Sequence, residues 1–178
     1  MKKIILSVLV LGLLASAAWL IFSVQQKKDA AAEAEVRAEA IPKVRLTTLS
    51  GDTLSLPSLS SGVATVLIYF NSTCELCKIE LKSIGEHTSE FDSANILLVS
   101  SQEPSEIVEF HNNNSLKNSS NVYWLIDGEM EVATHYGVRS VPAIFCYDPI
   151  GKLQGKFQGI VKVDRILDRL GISKVAIP

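Results

Sequence analysis

Residues Val63 to Phe70 run without a charge directly into Asn71-Ser72-Thr73-Cys74-Glu75-Leu76-Cys77. An apolar run of this length closed by turn residues reads as a buried strand. Ser72 with Glu75 three residues later fits a capping box, so a helix is expected to begin near the first cysteine. A buried strand that turns within three residues into a helix opening on C-x-x-C is the feature around which the rest of the chain has to be built.

Cysteines at i and i+3 share one helix face and can close a small disulfide ring, Cys74–Cys77. The helix N-terminus carries partial positive charge from unpaired N–H groups. That field favours thiolate and lowers a cysteine pKa from about 8.5 toward roughly 3.5–7.5. Cys74, at the helix start, is therefore the expected nucleophile, and Cys77, one turn further in, the thiol that resolves the mixed disulfide. Glu75 reads both as the cap partner of Ser72 and as a negative charge that makes the pair more reducing. A zinc half-site would need further ligands. The chain offers only Cys146, His87, His111 and His135, with no second C-x-x-C or H-x3-H. A purely structural disulfide is a poor alternative, because so short a ring constrains few unfolded states. Cys146 lies in an expected strand and reads as a small core residue.

The chain has 178 residues, 47% hydrophobic content and a formal charge of −2. That suits one domain plus an appendage. So balanced a charge gives no reason to expect nucleic acid as a partner, and three cysteines are too few for a disulfide-built scaffold. The appendage is N-terminal. Lys2 and Lys3 precede an uncharged run from Ile4 to Val24, about long enough to cross a bilayer core. Ala15-Ser16-Ala17 resembles a signal-peptidase site, but Trp19-Leu20-Ile21-Phe22 carries the apolar run beyond it. Residues 1–24 are therefore expected to be a single uncleaved transmembrane helix. Its orientation is N-in and C-out, with the domain on the periplasmic or outer side. Residues 25–41, rich in Ala and Glu, form a spacer ended by Pro42, and residues 42–178 the domain.

Within that domain, Val44 to Leu56 is expected to form two short strands around Ser50-Gly51-Asp52, followed by a polar connection from Pro57 to Gly62. After the core strand, the C-x-x-C helix should run to about Ile84, with Gly85 capping or kinking it and Leu76, Ile79 and Ile84 as its core face. Ile96 to Val99 reads as a second buried strand and Pro104 onward as a helix. Val122 to Ile126 reads as a strand and Glu129 to Tyr136 as a short helix stopped by Gly137. Ala143 to Tyr147 and Lys152 to Gln158 form a hairpin about Asp148–Gly151. Val163 to Leu170 closes the chain as an amphipathic helix. The plan is α/β with a mixed sheet flanked by helices.

Three stretches resemble the thioredoxin-like superfamily, and within it the membrane-anchored TlpA/ResA-type thiol-disulfide oxidoreductases of the redoxin group. They are Tyr69 to Cys77 with Lys78 and Glu80 following, Tyr136 to Pro142, and the Asp148–Gly151 turn into a hairpin. The spacing from Cys77 to Pro142 leaves room for that family's strand-and-helix insertion, here around Ser101 to Leu125. The resemblance implies a cis bond between Val141 and Pro142, placed opposite the cysteines so that the Val141 backbone can pair with a substrate segment. It implies that Glu80 accepts the proton of Cys77 or tunes its pKa. It also implies a protein disulfide as substrate, such as that of apocytochrome c or another envelope protein, and a membrane electron donor. The two thiols carry the chemistry, so no cofactor is called for. The chain departs from the family pattern at Thr73, where many relatives have Trp, and at Leu76, where many have Pro. Leu76 keeps a backbone N–H that proline would remove. Two alternatives stand beside this reading. A thiol peroxidase is disfavoured by Asn71 and Leu67, which occupy the positions of a peroxiredoxin's Thr and Pro. A copper-binding chaperone on the same fold is disfavoured by the C-x-x-C spacing, with His135 as an unsupported third ligand.

Overall fold

The computed structural model describes residues 2–172, with side chains from Leu11 onward. The chain divides into two compact units, Met1–Val36 and Arg37–Pro178.

The first unit is nearly all of one helix, α1 (Lys2–Arg37), whose Ala, Leu, Glu and Lys content favours helix throughout. Among the described residues, no helix is long and apolar enough to cross a membrane. The side chains of residues 4–10, which open the uncharged run, lie outside the described residues.

The second unit begins before Pro42, where the sequence reading starts the domain. Ala38 and Ile41 are buried. The Tyr147 hydroxyl donates to the Ala38 carbonyl at 2.9 Å, the Leu153 amide donates to the Glu39 carbonyl at 3.0 Å, and Ala40 bridges Lys152. Residues 37–41 are thus the first residues of the folded unit rather than the last of a spacer.

A seven-stranded sheet of order β2-β1-β5-β4-β3-β6-β7 forms its centre. The strands are β1 (Arg45–Thr48), β2 (Thr53–Ser55), β3 (Ala64–Tyr69), β4 (Ala94–Ser100), β5 (Val122–Ile126), β6 (Ala143–Tyr147) and β7 (Leu153–Gln158). β3 lies between β4, which is parallel to it, and β6, which is antiparallel. All six of its residues are buried. Val66 and Ile68 face one core with Leu81, Ile84, Ile166 and Leu167. Leu67 and Tyr69 face the other with Leu56, Val132 and Phe145. That two-sided burial is why the run carries no alternation of polar residues. The fold is thioredoxin-like, with α3 (Glu75–Glu86), α4 (Pro104–Asn112) and α6 (Val163–Leu170) joined by the shorter α2 (Leu56–Ser60) and α5 (Glu131–Tyr136).

Several local expectations change. Pro57 to Gly62 is not a plain connection. Pro57 stands in the first turn of α2, where its missing N–H costs nothing. Gly85 does not cap α3, which continues to Glu86 with His87 as its C-cap. A Cβ there would collide with the Ser115 Oγ, so glycine permits the close approach of the 115–118 turn. The buried residues of α3 are Cys77, Glu80, Leu81 and Ile84, whereas Leu76 and Ile79 are about half exposed, at 46% and 50%. Leu81 takes the inward place assigned to Ile79 by its apolarity alone.

The buried carboxylate of Asp127 ties β5 to α5. It accepts the Val132 and Ala133 amides at 3.2 and 3.0 Å and the Tyr69 hydroxyl at 3.0 Å. Two otherwise unpaired donors of the first turn of α5 are satisfied in this way. Gly137 closes that helix at φ 59°, a left-handed conformation that glycine adopts without penalty.

Candidate active site

Asn71, not Ser72, shapes the turn between β3 and α3. Its side-chain oxygen accepts the Thr73 amide at 2.8 Å and the Thr73 hydroxyl at 2.7 Å, an Asx-type turn. This delivers Cys74 as the N-cap residue of α3 in extended backbone, without a side-chain cap. The expected capping box is absent. Ser72 is engaged by Gln102 instead. Its amide donates to the Gln102 Oε1 at 2.6 Å, and the Gln102 Nε2 donates to the Ser72 Oγ at 3.0 Å. Glu75 is left to pair with Lys78 at 2.6 Å on the surface, where such a pair contributes little to stability.

Cys74 and Cys77 are both free thiols, the dithiol form of the expected couple. Their environments differ sharply. Cys74 is partly exposed, and its thiol lies 3.7 Å from the Val141 carbonyl. Partial desolvation raises its pKa and the Glu75 charge adds to that. The backbone N–H groups of Cys77 and Leu76 and the Cys77 thiol outweigh them, so Cys74 sits below the ordinary value. Leu76 thus keeps a backbone N–H whose field lowers the Cys74 pKa and which proline would lack. Cys77 is fully buried. Burial pushes it up to about 12, helped by the neighbouring Cys74 and Glu80 and opposed by the Asn71 amide, which donates to the Cys77 Sγ at 3.5 Å.

Glu80 lies one turn beyond Cys77 on the inner face of α3 and is fully buried. Its Oε2 accepts the Val161 amide at 2.9 Å, while Oε1 has no hydrogen-bond partner among the described residues. Burial raises its pKa, and the Val161 bond offsets only part of that. A buried carboxyl with one oxygen unspent, electrostatically coupled to a buried thiol, is placed to hold a proton.

The Val141–Pro142 bond is cis. The Pro142 carbonyl accepts the Gly159 amide at 2.9 Å, so the segment after β7 holds both the proline loop and, through Val161, Glu80. The structure therefore brings Cys74, Cys77, Glu80 and Val141 into one site, with Pro142 adjoining. Glu75 and Leu76 lie at its outer edge. The histidines take no part. His87 meets the Ser83 carbonyl, His111 packs edge-on to Trp124, and His135 faces the Ala40 carbonyl. Cys146 is buried in β6, and burial pushes its thiol up to about 12. Among the described residues, no group of three or more His, Cys, Asp or Glu could hold a metal ion. Gln102 is the residue the sequence reading misses. Its contact spans 30 residues, and no local pattern announces it.

The model of the AhpC/TSA family matches residues 38–156. No curated protein matches the chain in sequence. Among solved structures, the chain is similar to the pneumococcal exposed lipoprotein thioredoxin Etrx1 of Streptococcus pneumoniae. Identity is 25% and the TM-score 0.61, over 73% of this chain and 98% of that one. A secreted Mycobacterium tuberculosis disulfide oxidoreductase homologous to E. coli DsbE matches at 20% identity and TM-score 0.62, over 76% and 96%. Peroxidoxin BcpB of the same organism matches at 18% and 0.64, over 74% and 94%. The last two likenesses, below 25% identity, speak for the fold alone.

Proposed function

The chain belongs to the AhpC/TSA family, and from that premise we propose that it is a thiol-disulfide oxidoreductase that reduces protein disulfides through Cys74 and Cys77. The observation that carries this reading is the split between the two thiols. Cys74 is accessible and held below its ordinary pKa, while Cys77 is sealed and held at about 12. The first attack on peroxide needs only the accessible thiolate, whereas release of a reduced protein from a mixed disulfide also needs a second thiol that stays protonated until its turn.

In the proposed reaction, the Cys74 thiolate attacks one sulfur of the substrate disulfide and expels the other as thiolate. Cys77 then gives its proton to Glu80 and attacks the Cys74 sulfur, releasing the second substrate thiolate. Two electrons pass to the substrate, and the protein is left with a Cys74–Cys77 disulfide for an electron donor to reduce. The Val141 backbone pairs with the substrate segment beside the cis-proline.

The uncharged run from Ile4 to Val24 behind Lys2 and Lys3 supports a single-pass anchor with the domain outside the cytoplasm and a donor in the membrane. The substrate there would be an envelope protein disulfide, such as that of apocytochrome c. The fold similarity to a peroxidoxin makes hydrogen peroxide the natural competitor. The deciding experiment offers the reduced full-length protein either a protein disulfide or hydrogen peroxide, in wild type and Cys77→Ser. Fast, Cys77-dependent consumption of the disulfide supports the reading, and faster consumption of peroxide that survives loss of Cys77 overturns it. A potential near that of thioredoxin, about −270 mV, would support a reductant, and one near about −120 mV an oxidant.

A further inference from the structure

Gln102 follows β4, outside the cysteine motif, yet both ends of its side-chain amide grip Ser72, two residues before the nucleophile. Oε1 takes the Ser72 amide at 2.6 Å and Nε2 reaches the Ser72 Oγ at 3.0 Å. The amide group is itself fixed. The Ser100 hydroxyl lies 3.3 Å from Oε1, and the Gln102 backbone amide donates back to the Ser100 Oγ at 3.3 Å. Ser100 is fully buried at the end of β4, so the clamp is rooted in the central sheet. β4 pairs with all of β3 through Ala94–Val99. The two strand ends that meet here are therefore already registered, and Gln102 extends that registration past the end of the ladder into the turn.

The turn it holds has a defined task. Asn71 aims its amide at the Cys77 sulfur and its side chain at Thr73, and Cys74 stands at the N-terminus of α3 with its thiol 3.7 Å from the Val141 carbonyl. The turn's own backbone bond runs from the Cys74 amide to the Asn71 carbonyl at 3.1 Å and leaves Ser72 to Gln102, which takes its amide and its hydroxyl. We infer that Gln102 is a positioning residue for the Cys74 thiol, acting through the main-chain amide of Ser72. This rests on the dithiol reading above. Its logic is electrostatic. The donors that stabilise a Cys74 thiolate are oriented groups, and their effect falls off with misalignment as any hydrogen bond does. Releasing the turn weakens them and moves Cys74 back toward an ordinary thiol. Because the thiolate exists only in the reduced form, the couple then becomes more reducing.

The test uses full-length protein in its dithiol form and iodoacetamide, with the modified cysteine located by mass spectrometry. Gln102→Met keeps the length of the side chain and removes both polar ends. The expected result is a rise in the pH midpoint of Cys74 alkylation. At a pH below that midpoint, the thiolate fraction falls about tenfold for every pH unit by which the midpoint rises. The Cys74–Cys77 potential, measured against glutathione, moves to more negative values. Ser72→Ala, which removes the hydroxyl and keeps the amide, raises the midpoint less than Gln102→Met. Should Gln102→Met fail to fold, Ser100→Ala loosens the same clamp from its root and is expected to move the midpoint in the same direction. Unchanged titration and potential in a folded Gln102→Met protein, even with lowered stability, overturn the inference. A change in Ser72→Ala equal to that in Gln102→Met also overturns it, since the hydroxyl and not the amide would then be the handle. Alkylation needs no turnover, so a wild-type protein that alkylates at Cys74 but reduces no disulfide refutes the dithiol reading separately.

Discussion

Replacing Glu80 by Gln separates two effects of opposite sign. Burial and its neighbours, the Cys74 thiol among them, push Cys77 up to about 12 in the dithiol form, and burial still disfavours its thiolate once Cys74 is held in a mixed disulfide. Glu80 adds to that difficulty as a nearby negative charge and relieves it if it takes the proton. Gln keeps an oxygen for the Val161 amide, now 2.9 Å from Oε2, and removes both charge and basicity. If charge alone mattered, Glu80→Gln would lower the Cys77 pKa and resolve faster, about tenfold for every pH unit by which that pKa drops. If the carboxylate is the proton acceptor, the loss is that of a general base, typically roughly 10²–10⁴-fold, and resolution slows. We expect slowing, with a rate that climbs about tenfold per pH unit above neutrality as free hydroxide replaces the missing base. The assay loads Cys74 with thionitrobenzoate as a mixed disulfide and follows its release by absorbance in rapid mixing, with Cys77→Ser as the baseline that cannot resolve. Equal or faster release from the Glu80→Gln protein refutes the proton-acceptor role.

The same substitution has a stability signature. The folded pKa of Glu80 is raised above its ordinary value of 4.5. The stability linked to it is therefore fully present below that value and lost as pH rises through the folded pKa. Urea midpoints of wild type and Glu80→Gln should accordingly run closest below pH 4.5 and diverge in favour of Gln toward neutrality. Cys74→Ser should abolish reduction of a protein disulfide, and Cys77→Ser should accumulate mixed disulfides visible on non-reducing gels. Asp127→Ala strands two amides of α5 and the Tyr69 hydroxyl, and should cost on the order of 3 kcal/mol in urea unfolding. In cells, the native protein should sediment with membranes and react with an impermeant maleimide at Cys74 from outside. Recovery in the soluble cytoplasmic fraction would refute the anchor.

The sequence is most legible where chemistry and burial leave few choices. The strand before the cysteines carries no charge because both of its faces are covered, and its small polar residue, Thr65, donates its hydroxyl to the Val63 carbonyl. Gly137 and Gly151 announce their turns through positive φ, which glycine adopts freely, and Asp148 through a carboxylate that accepts the Ile150 and Lys152 amides. What fails to show is whatever depends on partners far along the chain. Ser72 and Glu75 satisfy the capping-box pattern, yet Gln102 competes successfully for Ser72, and Glu75 turns outward to Lys78. Apolarity alone puts Ile79 in the core, and nothing near Glu80 in the chain says that its carboxyl is buried. The helix buries Glu80 because the β7–α6 segment presents the Val161 amide to it. Residues 38–41 read as more of the spacer, since nothing in their composition foretells the hydroxyl of Tyr147.

That last attachment has a mechanical consequence. β6 runs from the cis-proline to Tyr147, pairing Ala143 with Tyr69 at one end of β3 and Tyr147 with Thr65 at the other. Four residues of strand, about 13 Å, thus separate the end that faces the reactive sulfur from the end where Ala38 is moored. The chain is tied on at the stern while the thiol rides at the bow. Within the folded unit, a partner that docks on Cys74 therefore meets the opposite end of β6 from the one where residues 38–40 are moored.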